Sequence, residues 1–243
     1  MITNIEIDRL VVISDLHLGN PLSKCGKDVT EFVGFCAEKG YDLCINGDII
    51  DISQFSFRNI AHDVPPVFHA IRQAREKGCR VFYLVGNHDI ILEYFLDDWG
   101  VFETAPFLNV SSGDKRIRIE HGHLYDPFFI KYPNLYEVST WLAGFFLKLY
   151  PPFYSMAMRF EAKLASLYPN AGNRIEGEHP NFNLAALELF RRGFDTVVFG
   201  HTHHVGEVEM GDNKWYFNTG SWMAEQHYLF IENGQTSLMK WYK

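Results

Sequence analysis

Eight polar residues fall into a pattern that could do chemistry. Asp15 and His17 are two apart. Asp48 follows a glycine. Asn87 and His88 sit inside Gly-Asn-His-Asp. His121 follows a short alternating run, and His201 and His203 are again two apart, in Gly-His-Thr-His. Carboxylates, a carboxamide oxygen and imidazoles together suit manganese, iron or zinc and suit calcium poorly. His88, beside the amide, carries an imidazole fit for proton transfer or phosphate contact. The reading is therefore a metal site.

Each cluster follows a stretch that reads as a strand. Leu10 to Ser14 (LVVIS) runs into Asp15, Tyr41 to Asn46 (YDLCIN) into Gly47-Asp48, and Val81 to Val85 (VFYLV) into Gly86-Asn87-His88-Asp89. Lys115 to Glu120 (KRIRIE) precedes His121, and Asp195 to Phe199 (DTVVF) precedes Gly200-His201. Short apolar runs rich in β-branched and aromatic residues fit strands covered on both faces. Ligands of open α/β sheets gather beyond the carboxyl ends of such strands. In an extended segment residues two apart share a side, so Asp15 and His17 are expected to face one ion together. Asp89 is expected to cap the helix after it.

Between these strands the periodicity predicts helices over Val29 to Glu38, capped by Asp28 or Thr30, over Val64 to Lys77 with Pro65 in the first turn, and over Ile90 to Trp99. Strand and helix alternate, which argues for a layered α/β fold. Later come a strand at Phe107 to Val110, a turn at Ser111 to Asp114, a helix over Phe182 to Arg192, and a hairpin of Val205 to Met210 with Lys214 to Asn218 over Gly211-Asp212-Asn213. Tyr228 to Ile231 and Thr236 to Trp241 read as edge strands. From Leu124 to about Pro180 the strand rhythm stops, and the chain becomes rich in Phe, Tyr, Trp and Leu.

The length, 243 residues, suits one domain with an inserted cap, and the formal charge of −8 with no basic stripe argues against a nucleic-acid partner. Cys25, Cys36, Cys44 and Cys79 form no C-x-x-C pair and read as reduced, buried thiols. The opening MITNIEIDRL lacks a basic segment followed by an apolar one, and no uncharged apolar run reaches the roughly 18 to 20 residues of a span. A cytoplasmic protein is expected, with contact to the inner-membrane surface through the aromatic insert as a further expectation.

The motif order D-x-H, G-D, G-N-H-D, G-H, G-H-x-H resembles that of the calcineurin-like metallophosphoesterases, across roughly residues 9 to 123 and 194 to 221. The resemblance implies a two-sheet β-sandwich flanked by helices. It implies that Asp15, His17 and His203 hold one metal, that Asn87, His121 and His201 hold the other, and that Asp48 bridges them. Two such divalent ions, manganese first and iron or zinc as alternatives, polarise a phosphoryl group and lower the pKa of water for attack on phosphorus. His88 takes the position of a histidine near the leaving oxygen, and Asp51 that of the carboxylate orienting it. Arg58 and His123 are candidate substrate contacts. The Asp-Arg-Gly pattern of protein serine/threonine phosphatases is replaced by Asp51-Ile52-Ser53, which disfavours protein substrates.

The helical cap expected at about 124–180, with the DLHLG opening and the GHTH spacing, is similar to the UDP-2,3-diacylglucosamine pyrophosphohydrolases of lipid A synthesis, whose cap binds acyl chains. Where that branch has Gly-Asn-Arg-Asp, this chain has His88. The expected function is a phosphodiesterase or pyrophosphatase acting on a lipid-linked or nucleotide-linked phosphoester. The alternatives are a broad small-molecule or cyclic-nucleotide phosphodiesterase and, in another class, a non-catalytic metal-binding scaffold. Trp141, Phe145, Phe146, Leu149 and Tyr150 serve either packing, a dimer face or greasy contacts, and Lys131, Lys148, Arg159 and Lys163 suit anionic headgroups. Oligomeric state is not legible.

Overall fold

The computed structural model describes residues 4–20, 22–52, 57–98, 100–136, 138–139, 142, 149–150, 152, 156, 159–160, 163 and 174–242. The strands are β1 (Asn4–Glu6), β2 (Arg9–Ile13), β3 (Asp42–Asn46), β4 (Val81–Leu84), β5 (Glu103–Ala105), β6 (Phe107–Ser112), β7 (Lys115–Glu120), β8 (Thr196–Phe199), β9 (Gly206–Glu209), β10 (Trp215–Asn218), β11 (His227–Glu232) and β12 (Gln235–Lys240). The helices include α1 (Gly26–Lys39), α2 (Phe57–Glu76), α3 (Pro127–Lys131) and α4 (Pro180–Arg191).

The strands form two six-stranded mixed sheets, ordered β12-β11-β2-β3-β4-β5 and β1-β6-β7-β8-β10-β9. Period-two alternation assigns each side chain to a layer. Leu10, Val12, Cys44, Phe82 and Leu84 from the first sheet meet Ile117, Ile119, Val198 and Phe217 from the second, and these fill the space between the sheets. Val11, Ile13, Leu43, Ile45, Val81 and Tyr83 point the other way, onto Val29 and Phe32 of α1 and Val67 and Ile71 of α2. Val197, Phe199 and Tyr216 pack under Phe182, Ala186 and Leu189 of α4. Helices thus cover both outer faces, and both sheets have strands buried on two sides. This is the expected layered α/β fold, two sheets flanked by helices.

Several local expectations need correction. α1 begins at Gly26 with Cys25 before it and no side-chain cap, while the Thr30 hydroxyl donates back to the Gly26 carbonyl. α2 starts at Phe57, and Pro65 and Pro66 lie in its interior. Both prolines are exposed, as are Ala61 and His62, so the carbonyls that lose a helical partner face solvent. The segment from Ile90 is a short 3-10 helix ending at Phe95 rather than a helix to Trp99. β11 is no edge strand, since it pairs with both β2 and β12. The cap of about 124–180 falls largely outside the described residues, Trp141, Phe145, Phe146 and Lys148 among them. Among the described residues no helix is long and apolar enough to cross a membrane.

β2, β3, β4 and β5 run parallel, as do β7, β8 and β10. Their carboxyl ends therefore open on the same edge of the sandwich. Every polar cluster singled out in the sequence leaves the fold at that edge.

Candidate metal centre

The loops beyond these strands are sewn to one another by backbone hydrogen bonds. Asp15 and His17 donate their N–H groups to the carbonyls of Gly47 (3.1 Å) and Asp48 (2.9 Å), so the loops after β2 and β3 run side by side. Gly200 N–H donates to the His121 carbonyl at 3.0 Å, joining the loops after β7 and β8. The Ser14 hydroxyl lies 2.7 Å from the Thr219 hydroxyl and donates to the Gly220 carbonyl at 2.8 Å, which ties the loop after β10 to the first sheet.

Two glycines make room where side chains converge. A Cβ on Gly86 would sit 2.1 Å from Asp48 Oδ1, and one on Gly47 would sit 2.3 Å from His121 Nδ1. The backbone at the acidic and imidazole groups is itself unusual. Asp15 (φ 56°), His17 (48°), Asp48 (53°), His201 (61°) and His203 (61°) all occupy the left-handed region, which non-glycine residues enter at a cost. Such outliers cluster where tertiary contacts hold side chains in a functional arrangement.

Three overlapping groups of ligand-type atoms result, each with its atoms within 4.8 Å of one another: Asp15, His17 and His203; His17, Asp48 and His88; and Asp48, His121 and His201. His203 Nε2 lies 3.1 Å from Asp15 Oδ1 and from His17 Nε2. His121 Nε2 lies 3.2 Å from Asp48 Oδ2. Asn87 Oδ1 approaches His201 Nδ1 at 2.8 Å. Asp15, His17, Asp48 and His121 are buried. Burial opposes the charged form of His121, but Asp48 and Asp15 outweigh it and hold the pKa up at about 9. Burial likewise opposes ionisation of Asp48, and the imidazoles of His121 and His88 overcome it, keeping this carboxyl well below its usual range.

A model described as calcineurin-like phosphoesterase matches residues 8–205. The chain belongs to the calcineurin-like phosphoesterase family. It is accordingly a metal-dependent phosphoester hydrolase. Among solved structures, a dimetal phosphatase from Danio rerio is similar in fold, with a TM-score of 0.53 and 11% identity over 96% of each chain. Vps29 of Chaetomium thermophilum aligns at a TM-score of 0.47 and 11% identity, over 96% of this chain and 97% of that one. No curated protein matches the chain significantly.

The residues of this phosphoesterase fit a pair of divalent ions. Among the described residues the buried Asp15 Oδ1 and His121 Nε2 make no hydrogen bond and face only other ligand-type atoms, as atoms around a cation would. The His121 ring donates from Nδ1 to the Asn46 carbonyl at 2.8 Å, which fixes its orientation and turns Nε2 toward Asp48, where a bound cation would take the place of its proton. The donor set, three carboxylate and carboxamide residues with four imidazoles, has the mixed oxygen and nitrogen character that suits first-row transition metals.

The remaining candidates are placed as follows. His88 Nδ1 lies 2.9 Å from Asp51 Oδ1, and its Nε2 faces the centre, 3.9 Å from Asp48 Oδ2. Burial disfavours the charged imidazole, yet Asp48 and Asp51 raise its pKa above the usual value. His123 is brought beside His121 but is buried against Phe129, both ring nitrogens without a hydrogen bond. Its burial and its neighbours His121 and His201 push its pKa down to about 3, so it is a neutral ring. Arg58 is exposed near the start of α2, whose Asn59 and Ile60 touch Gly19 beside the metal loop.

Two geometric expectations fail. Asp15 and His17 do not share a side by lying in an extended strand: β2 stops at Ile13 and both residues are left-handed. The Asp89 side chain does not cap the 3-10 helix that follows it. It is buried, and accepts hydrogen bonds from Gly86 N–H (2.7 Å), from Ile49 N–H (2.9 Å) and from the Tyr83 hydroxyl. It therefore clamps the loop after β4 to the loop after β3.

Sequence reading missed Asp126, Asn20 and Glu178. Asp126 Oδ2 lies 3.1 Å from His201 Nε2, while its Oδ1 caps α3 through Phe128 N–H at 2.8 Å. The Asp126-Pro127 pair is a helix-start signal that could have found the cap, though not the histidine. Asn20 donates to Asp51 Oδ2 at 3.0 Å. Glu178 accepts from the Thr202 hydroxyl, between His201 and His203, at 2.8 Å.

Proposed function

We propose that this phosphoesterase uses two divalent cations, one held by Asp15, His17 and His203 and the other by Asn87, His121 and His201, with Asp48 between them. The observation that carries this reading is the position of Asp48, whose carboxylate belongs both to a group with His17 and to a group with His121 and His201. Cations bound there neutralise phosphoryl charge and lower the pKa of water. The chain's own groups do the rest. Asp48 Oδ1 accepts the His88 backbone N–H at 2.9 Å, which fixes where the Gly-Asn-His-Asp loop stands relative to the ligands. His88, with Nδ1 on Asp51, presents Nε2 to the substrate side. Asp48 and Asp51 outweigh burial and raise its pKa, which favours a proton on the ring for the departing oxygen.

The substrate we infer is a phosphodiester or pyrophosphate carrying an apolar or nucleotide part, of which UDP-2,3-diacylglucosamine is the model. Leu124, Phe128, Ile130 and Leu135 are exposed beyond the loop after β7, and Asn87 Nδ2 donates to the Tyr136 hydroxyl at 3.2 Å, which brings this segment against the candidate centre. Arg58 and His123 are proposed to meet the substrate. His88, standing where the lipid A branch has arginine, favours a second reading, a broader small-molecule phosphodiesterase.

Hydrolysis followed by mass spectrometry, with manganese present and UDP-2,3-diacylglucosamine offered beside bis-p-nitrophenyl phosphate, separates the two. Release of UMP and acylated sugar phosphate supports the first reading, and cleavage of the chromogenic diester alone supports the second. Two bound metals with no turnover on any phosphoester would overturn both. Asp48→Ala should abolish turnover while the fold persists.

A further inference from the structure

A buried carboxylate lies outside the ligand set and outside every motif of the sequence. Glu178 is 2% exposed, and among the described residues no cation stands among its hydrogen-bond partners. Its Oε1 accepts from the Thr202 hydroxyl (2.8 Å) and the Asn218 amide (2.7 Å), and its Oε2 from the Tyr216 hydroxyl (2.7 Å). Sinking a carboxylate among neutral donors is costly, and burial pushes its pKa up to about 7. A glutamine or an apolar residue would avoid that cost.

What the carboxylate secures is the loop His201-Thr202-His203. Thr202 is the residue between two imidazoles that are both left-handed. Its hydroxyl, donating to Glu178, accepts from Asn218 Nδ2 at 2.9 Å, and the same amide donates to the Gly200 carbonyl at 2.7 Å. Thr202 and Asn218 thus meet on Glu178 Oε1, and Gly200 is tied in through Asn218. The neighbouring Gly177 lies so close to His204 that a Cβ there would sit 2.6 Å from its ring. The segment 175–178 is therefore seated along the whole loop, at the point where the insert returns to α4.

We propose that Glu178 is a positioning residue of the metal centre, acting through Thr202 and Asn218 to hold His201 and His203 in the strained conformation that presents one imidazole to each ion. This rests on the two-cation reading above. Because Oε2 reaches Tyr216 and not the loop, its bond and those of Oε1 have separable consequences.

The test is calorimetric titration of the metal-stripped full chain with manganese, at a temperature where circular dichroism shows each variant folded. The parent should bind two ions. Glu178→Ala and Thr202→Val should each weaken manganese binding at least tenfold, with the double variant no worse than the weaker single one. Glu178→Gln keeps an acceptor for Thr202 and Asn218 and should stay within threefold of the parent. Tyr216→Phe should lower the melting temperature and leave manganese affinity within threefold. Parent-like affinity in folded Glu178→Ala or in Thr202→Val overturns the proposal, and Thr202→Val alone decides it if Glu178→Ala does not fold. Glu178→Gln losing as much as Glu178→Ala would assign the effect to charge and overturn the positioning route. A parent that binds no manganese overturns the two-cation reading and this inference with it, whereas two ions bound equally by parent and variants removes the inference alone.

Discussion

His17 and His88 rest on one oxygen: Nδ1 of each ring lies against Asp51 Oδ1, at 2.7 and 2.9 Å. One is a proposed ligand and the other the proposed proton donor, so a single buried carboxylate orients both functions. Asn20 holds its second oxygen. Burial works against ionised Asp51, and the two imidazoles overcome it, keeping its pKa below the usual carboxylate range.

Asp51→Asn should therefore lower kcat and weaken metal binding together. Loss of such an outer partner typically costs about 10–100-fold in metal affinity or activity. His88→Asn should lower kcat by a similar factor with two ions still bound. Rate assays at saturating metal, set beside calorimetric stoichiometry, separate the variants. Parent-like metal affinity in Asp51→Asn would show that His17 needs no such support.

Gly86→Ala isolates the crowding around Asp48. Gly86 is not left-handed, so the added Cβ meets no φ penalty, but it would sit 2.1 Å from Asp48 Oδ1 and 2.5 Å from the Asp48 backbone nitrogen. The carboxylate and the loop that carries it must move. We expect a stability loss of about 1–3 kcal/mol from overpacking, with loss of the second bound ion. Urea unfolding and metal analysis of the purified variant check this, and unchanged stoichiometry would refute it.

Most strands that carry the site were legible because each is a largely buried apolar run: β3, β4 and β8 lie within the runs read as strands, and β2 overlaps its run but starts one residue earlier, at Arg9. β1 and β5, of three residues each, gave no such signal. The types of the polar residues were legible, but their geometry was not. Spacing two apart suggests an extended chain, while contacts between loops hold Asp15 and His17 in the left-handed region. Asp89 reads as a cap because a helical pattern follows it, yet the turn at Gly86 folds it over two backbone N–H groups that no local pattern reveals. Asp126 and Glu178 work through partners 75 and 24 positions away, and such pairings leave no trace in periodicity.

Asp126 is the outer partner of His201 as Asn46 is of His121. Burial opposes ionised Asp126, and the hydrogen bond and charge of His201 keep its pKa below the usual value. Asp126→Ala removes the partner and the α3 cap at once, so Asp126→Asn, which retains a side-chain oxygen for the cap, is the sharper probe. Its expected effect is about tenfold weaker binding of one ion, with the other unaffected. Manganese titration resolves the two sites. Equal weakening of both would show that Asp126 does not act through His201 alone.

Glu178 makes stability fall as pH rises. Its pKa is pushed up to about 7 in the fold, against 4.5 for the ordinary group. Below 4.5 it is protonated in both states, and its contribution is fully present. Between 4.5 and 7 the unfolded chain releases the proton while the folded chain retains it, so stability drops with pH and the loss is complete above 7. A shift of this size corresponds to roughly 3 kcal/mol. Glu178→Gln cannot ionise and keeps an acceptor toward Thr202. The metal-free variant should therefore match the parent at pH 4 and exceed it at pH 8 by up to about 3 kcal/mol. Urea unfolding at the two pH values measures this difference. A gap that is equal at both would mean that folding leaves the pKa of Glu178 at its ordinary value.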